Sequence, residues 1–261
     1  MVIYARFERD RSESKKQLLK DHILGTTEKI EKLLQATIVR HILQSLTEYV
    51  NTNYIKLIQA AKLAALFHDI GKILWYYQKR AVNVEKQVEE ALTFPMHEVV
   101  SASIYVQTCN MYRQLKLRYP ITPTWLISLT VQAILLHHQG LRVLTIERIQ
   151  SNYVNQMIYE DYNENIENLK IITTSLLNMV KDSTIIEVFE VLRNNVNEVL
   201  KYNSREIQDF YYLQDSIQVE LSRMITACLM IADSWDAYEA VKGRKSKYIQ
   251  EIVLRYIKTL T

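Results

Sequence analysis

Glycine and proline are scarce in this 261-residue chain, at four and three residues, and cysteine occurs only twice. A chain with so few backbone breakers leaves little room for the turns of an all-β fold, and its wealth of Leu, Ile, Lys, Glu and Gln predicts a mostly helical one. Cys109 and Cys228 are far apart and form no CxxC pair, which excludes a disulfide framework and a zinc ribbon and fits a reduced, cytoplasmic protein. No GxxxxGK[ST] loop is present, so the chain has no nucleoside-triphosphate site of that kind and cannot drive unwinding itself. The opening residues soon turn highly charged and lack a signal-peptide apolar core. The uncharged run from Tyr119 to Leu141 contains Pro120, Pro123, Gln132 and two histidines, and its strongly apolar part falls short of the ~20 residues needed to span a bilayer. It reads as a buried helix, with no membrane partner expected.

The length allows one large domain with a substantial core, and we expect a single unit over residues 1–261. Ser12 and Ser14 offer caps for a first helical segment carrying Leu18, Leu19 and His22 and stopping near Gly25. Thr26 or Thr27 can cap the next, with an apolar stripe of Ile30, Leu33, Leu34, Ile38, Ile42, Leu46 and Tyr49. Tyr54 to Phe67 is apolar on nearly every side and belongs in the middle of a domain. Pro95 suits the first position of a helix whose opening turn holds His97 and Glu98. Met224 to Ala237 makes the last core helix, with Asp233 among apolar residues, where an unpaired carboxylate is costly and calls for a cation.

Charge is nearly balanced at +3, but unevenly spread: residues 151–220 hold 5 Lys and Arg against 12 Asp and Glu. This acidic stretch reads as an inserted or appended helical subregion rather than a separate globule. The remainder, including a tail from Lys242 to Lys258 with six basic residues and one acidic, is net basic, as suits either a holder of polyanions or merely solvated helices.

Five of the six histidines fall at His22, His68, His97, His137 and His138, leaving only His41 apart, beside an apolar stripe where a packing or surface role is expected. Neutral imidazole is the commonest ligand for transition metals, and a carboxylate can bridge two cations. Leu66-Phe67-His68-Asp69-Ile70-Gly71-Lys72 ends an apolar helix in two such ligands, although a buried ring capped by its neighbour would look the same. The His137-His138 doublet closes the apolar run Trp125 to Leu136, where a purely structural pair would need two partners. Asp236 rivals Asp233 as a ligand. Ser101, one turn beyond His97, could support that ring, touch substrate or simply pack. The run Trp75-Tyr76-Tyr77-Gln78-Lys79-Arg80 interleaves rings with positive charge, as either a stacking track for single strands or core packing would.

Taken in order, His22, His68-Asp69, His97, His137-His138 and Asp233 resemble the HD-domain metal-dependent phosphohydrolases, and in particular the stand-alone archaeal HD nuclease of type I CRISPR interference. Phe94-Pro95-Met96-His97-Glu98-Val99-Val100-Ser101, His-His-Gln-Gly and Ile231-Ala232-Asp233 look like that branch's motifs, and the pattern spans residues 22 to 233. The resemblance implies an all-α HD-domain bundle, with a metal-site core of about 12–140 and 221–241. It further implies two divalent cations, one held by His22, His68, Asp69 and Asp233 and the other by Asp69, His97, His137 and His138, with Asp69 as the bridging, catalytic carboxylate. Lys72 is similar to the family's phosphate-contacting lysine, and Lys72 and Ser101 are the expected substrate contacts. Imidazole-rich ligation favours manganese, nickel, cobalt or iron over magnesium. The activity implied is two-metal hydrolysis of phosphodiesters in single-stranded DNA, with a separate helicase and an RNA-guided effector complex as partners. An HD phosphohydrolase acting on a small nucleotide or cyclic nucleotide is the alternative, and a non-catalytic helical scaffold a third reading.

Overall fold

The computed structural model of the chain describes residues 2–10, 13–85, 92–138 and 145–240. Ser12, Gln139, Gly140 and the basic tail lie outside the described residues. Among the described residues the architecture is all-α apart from one N-terminal hairpin, as the scarcity of breakers predicted.

That hairpin corrects the expected first helix. Strands β1 (Tyr4–Asp10) and β2 (Glu13–Leu18) pair antiparallel, so Ser14 lies in a strand and not at the start of a helix. Ile3, Ala5 and Phe7 are buried at every second position, which is the period of a half-buried strand. Helix α1 (Leu19–Gln35) follows and runs straight through Gly25 instead of stopping there. The reason is tertiary: a Cβ on Gly25 would lie 2.0 Å from Asp236 Oδ1, so glycine is needed for close approach and not for a turn. Thr26 and Thr27 consequently lie inside the helix, Thr27 donating its hydroxyl to the Ile23 carbonyl at 2.7 Å.

The chain bends at Ala36 into α2 (Thr37–Tyr49). The expected stripe is therefore broken after Leu34: α2 buries Val39 and Leu43 and leaves Ile38, Ile42 and Tyr49 exposed, and of the expected α2 positions Leu46 still packs against the core. Helix α3 (Tyr54–Phe67) has the predicted bounds and is capped by Asn53, whose side chain accepts the Lys56 amide at 2.9 Å. Leu57, Ala60, Ala61 and the run Leu63 to Phe67 have no exposed surface, and burying Phe67 alone contributes roughly 1.5–3 kcal/mol. A short 3-10 turn, Ile70–Ile73, leads into α4 (Trp75–Glu85).

Helices α5 (His97–Gln114) and α6 (Trp125–Leu136) pack on each other, and α6 packs on α3. His97 lies in the opening turn of α5 as expected, but it is the first residue of the helix and Pro95 is not: Met96 precedes it in a left-handed conformation with φ 65°. After α7 (Ile146–Ile149), the acidic stretch forms α8 (Asn152–Glu160), α9 (Tyr162–Leu177), α10 (Ser183–Asn194), α11 (Val196–Val199) and α12 (Ser204–Asp209). Its buried residues, Leu169 and Phe189 among them, belong to the same apolar core as α3 and α5. Two of its asparagines also brace the chain just after Asp69: Asn165 accepts the Trp75 amide at 2.6 Å and Asn168 donates to the Ile73 carbonyl at 2.7 Å. The last described helix, α13 (Ser216–Ala240), starts earlier than Met224 and packs along α1 and α6. No helix among the described residues is long and apolar enough to cross a membrane.

Candidate metal centre

Five chain segments end or pass at one buried point. Helix α3 delivers His68 as its C-cap and Asp69 beyond it, α1 brings His22 in its first turn, and α5 opens with His97. Helix α6 ends at His137 and His138, while α13 contributes Asp233. His22, His68, Asp69, His97 and His137 are at most 2 % exposed, and His138 and Asp233 sit at the partly open side.

Two groups of ligand atoms form there. Asp69, His97, His137 and His138 make one and His22, His68, Asp69 and Asp233 the other, each with its atoms within 4.8 Å of one another. Asp69 belongs to both and splits its oxygens between them. Oδ2 lies 3.0 Å from His22 Nε2 and 3.6 Å from His68 Nε2, whereas Oδ1 lies 2.9 Å from His97 Nε2 and 3.7 Å from His137 Nε2. Asp233 Oδ1 closes the first group at 3.1 Å from His22 Nε2, and His138 Nε2 closes the second at 3.2 Å from His97 Nε2.

The rings are fixed in the tautomer that suits a cation. His68, His97 and His137 each hold Nδ1 2.6 Å from a backbone carbonyl, of Ala65, Phe94 and Ile134 respectively. A carbonyl only accepts, so Nδ1 carries the proton and Nε2 turns a bare lone pair inward. His68 Nε2, His137 Nε2 and Asp69 Oδ1 are in fact buried without a hydrogen-bond partner. Asp69 Oδ1 and His97 Nε2 thus face each other at 2.9 Å as two acceptors, an arrangement that costs energy unless a cation stands among them. The residues present fit a metal, and a purely structural cluster of satisfied histidines does not account for them.

Electrostatics point the same way. Burial alone would raise the Asp69 pKa, but the charge of Lys72 and the His68 and His97 rings hold it well below the ordinary carboxylate range. Asp233 is lowered too, its burial outweighed by His22 and His68. Burial opposes a charge on His22, yet its hydrogen bonds with Asp233, Asp236 and Asp69 prevail and push its pKa up to about 10 in the ion-free cluster. Burial lowers His97 and, with His137 beside it, His138. The anionic and the neutral-imidazole sides of the centre are therefore distinct.

The remaining expected residues fall differently. Lys72 places Nζ 2.5 Å from Asp69 Oδ2 and 5.1 Å from the Phe94 ring centroid, so it faces the centre. Ser101 does not face substrate: it is fully buried, and its hydroxyl accepts the Gly71 amide at 2.8 Å. It pins the His68-Asp69 turn to α5, where a Cβ on Gly71 would lie 2.3 Å from the His97 carbonyl oxygen. The Trp75 to Arg80 run packs rather than forming an open track. Tyr77 is buried with its hydroxyl on the Pro95 carbonyl, Gln78 bonds the Tyr4 backbone, and Lys79 pairs with Asp161 at 3.1 Å. His41 is exposed and belongs to neither ligand group.

A model of the HD domain matches residues 21–241, a span that contains every one of the seven clustered residues. The chain belongs to the HD domain family. HD domains are metal-dependent hydrolases of the phosphohydrolase superfamily, and the His68-Asp69 pair lies at the heart of this one. No curated protein and no solved structure matches the chain.

Sequence reasoning missed the residues behind the ligands. Asp236 is not a rival ligand but the partner of His22 Nδ1 at 2.7 Å, and Gln17 and Lys29 hold that carboxylate in turn. Two acidic residues three apart on α13 were the available signal. Gln17 and Lys29 carried none, because only the approach of α13 to the end of β2 and to α1 brings them to Asp236.

Proposed function

We propose that this HD domain is a nuclease that hydrolyses phosphodiester bonds of single-stranded DNA with two divalent cations, as the HD component of type I CRISPR interference. A separate helicase would deliver the strand, and an RNA-guided effector complex would select it by base pairing, leaving this chain the chemistry alone. The observation that carries the reading is the single buried carboxylate, Asp69, whose two oxygens serve two four-residue ligand groups.

Held by these residues, a pair of cations would supply Lewis-acid stabilisation of the phosphoryl oxygens and would make water acidic enough to act as nucleophile near neutral pH. The protein's own part is preorganisation. Backbone carbonyls lock His68, His97 and His137 so that no ring must reorient during reaction, and Ser101 and Gly71 lock the turn that carries Asp69. Lys72 stands at the centre to meet a phosphate oxygen, and the partly exposed side with Asp233 and His138 is where the strand would enter. Three imidazoles in one group and two in the other favour manganese, nickel, cobalt or iron over magnesium.

The test is turnover by the manganese-loaded protein of a single-stranded DNA oligonucleotide beside a panel of nucleoside phosphates and cyclic nucleotides. Metal-dependent cutting of the oligonucleotide is expected. Turnover of mononucleotides alone would replace this reading with that of a small-nucleotide phosphohydrolase.

A further inference from the structure

The four most buried rings of the centre are not held alike. His68, His97 and His137 lean on neutral backbone carbonyls, whereas His22 leans on a carboxylate. That carboxylate is itself built in: Asp236 is 6 % exposed, its Oδ2 accepts from Gln17 Nε2 at 2.6 Å and meets His22 Nδ1 at 2.7 Å, and its Oδ1 accepts from Lys29 Nζ at 2.8 Å. Lys29 also reaches Glu239 at 2.9 Å, so it is balanced by two acids. The bare face of Gly25 opens the space, since any Cβ there would strike Asp236 Oδ1.

A carboxylate behind a ligating ring does two things that a carbonyl does less well. It holds the ring's orientation through a charge-assisted hydrogen bond, and it raises the electron density of the nitrogen that binds the cation. Among the four rings compared, His22 is the one whose Nδ1 has a carboxylate as its direct hydrogen-bond partner, at 2.7 Å; His97 Nδ1 is bonded to the Phe94 carbonyl at 2.6 Å and has Glu98 Oε2 only at 3.4 Å. The group of His22, His68, Asp69 and Asp233 also has two carboxylates among its ligands, where the group of Asp69, His97, His137 and His138 has one.

We infer that Asp236 is a positioning residue that acts through His22 and selectively tightens one of the two cation positions. The two positions are therefore unequal: the one with His22 fills first and retains its ion longest. The inference rests on the two-cation reading above and adds to it which site is stronger and which residue makes it so.

The test is manganese binding by the full-length protein, followed by isothermal titration and by electron paramagnetic resonance, with Asp236→Asn beside the wild type. Asparagine keeps the shape and can still accept from His22, while Lys29 keeps Glu239 as a partner. Removing a conserved-geometry partner behind a metal ligand typically costs about 10–100-fold in metal affinity. We expect a loss of that size for the ion that binds first in the wild type, an unchanged affinity for the other, and hence a narrowing or reversal of the gap between the two binding steps, with a changed single-ion spectrum in partly loaded protein. Gly25→Ala displaces the same carboxylate without changing any charge and should reproduce the pattern, which keeps the idea testable should either variant fold poorly. Two ions at wild-type affinity in both folded variants would overturn the inference. Equal weakening of both ions in a folded protein would overturn it as well, because a merely structural role predicts that result. A wild-type protein that takes up no manganese would instead bring down the metal reading on which the inference stands.

Discussion

Helices α2 and α3 follow one another in the chain, both show an apolar pattern, and each has a histidine: His41 within α2 and His68 at the end of α3. The structure treats them in opposite ways. Helix α2 buries one narrow face and leaves His41 in solvent, whereas α3 is enclosed on every side over its final turns, from Leu63 to Phe67, and ends with His68 fully buried. A helix gripped on all sides cannot rotate or slide, so the residues at its end are aimed as firmly as the core is packed. A histidine on a one-faced helix has no such direction. The lesson is that ligand precision here is inherited from core packing.

The sharpest way to break the contrast is at the end of α3. Asp69→Ala should bring hydrolysis down to background and remove metal binding while circular dichroism still shows the helical fold. Measurable metal-dependent turnover in that variant would remove Asp69 from the centre of the chemistry.

A second effect, nearly as large, concerns ion uptake. At 100 times its dissociation constant, one bound ion stabilises the fold by about 2.7 kcal/mol, so manganese should raise the melting temperature and a chelator should reverse the rise. Because the ion-free His22 has its pKa raised to about 10, it carries a proton at neutral pH that the ion must displace. Manganese affinity should therefore climb from pH 6 to pH 9, with proton release seen by calorimetry in buffers of different ionisation heat. A pH-independent affinity would mean that His22 is not a ligand.

Gly71→Ala tests the packing beside the ligands rather than the ligands themselves. The added Cβ would meet the His97 carbonyl at 2.3 Å, so the turn and α5 must separate. We expect a loss of up to roughly 3 kcal/mol in chemical denaturation and a fall in activity beyond what the stability change alone would produce. On α2 the expectation is the smallest: His41→Ala should stay within about 0.5 kcal/mol of wild type and leave turnover unchanged. A large catalytic loss there would erase the contrast between the two helices.

Much of this arrangement could be read from residue order. The bounds of α3 and α6 follow from unbroken apolar runs, and the seven residues now gathered in two groups stood out because histidine is rare elsewhere. The misreadings have physical causes. Gly25 resembles a helix stop because isolated glycine usually is one, and only the approach of Asp236 from 211 positions further on explains it as a close-packing residue. The alternation of Ile3, Ala5 and Phe7 was a strand signal, but it is short and is followed by a dense run of charge. Ser101 seemed open to substrate because its spacing from His97 shows one helical turn but not which neighbour fills the space. The bracing by Asn165 and Asn168 joins positions some 90 residues apart and leaves no local trace.

The meeting of Asp69 Oδ1 and His97 Nε2 as bare acceptors has a practical corollary. An empty centre is a compressed spring, with its like poles pressed together by the surrounding helices, and loading it relaxes the same atoms that unite five segments of the fold. The heat tolerance of this molecule should then serve as a gauge of how full its centre is, readable before any substrate is known.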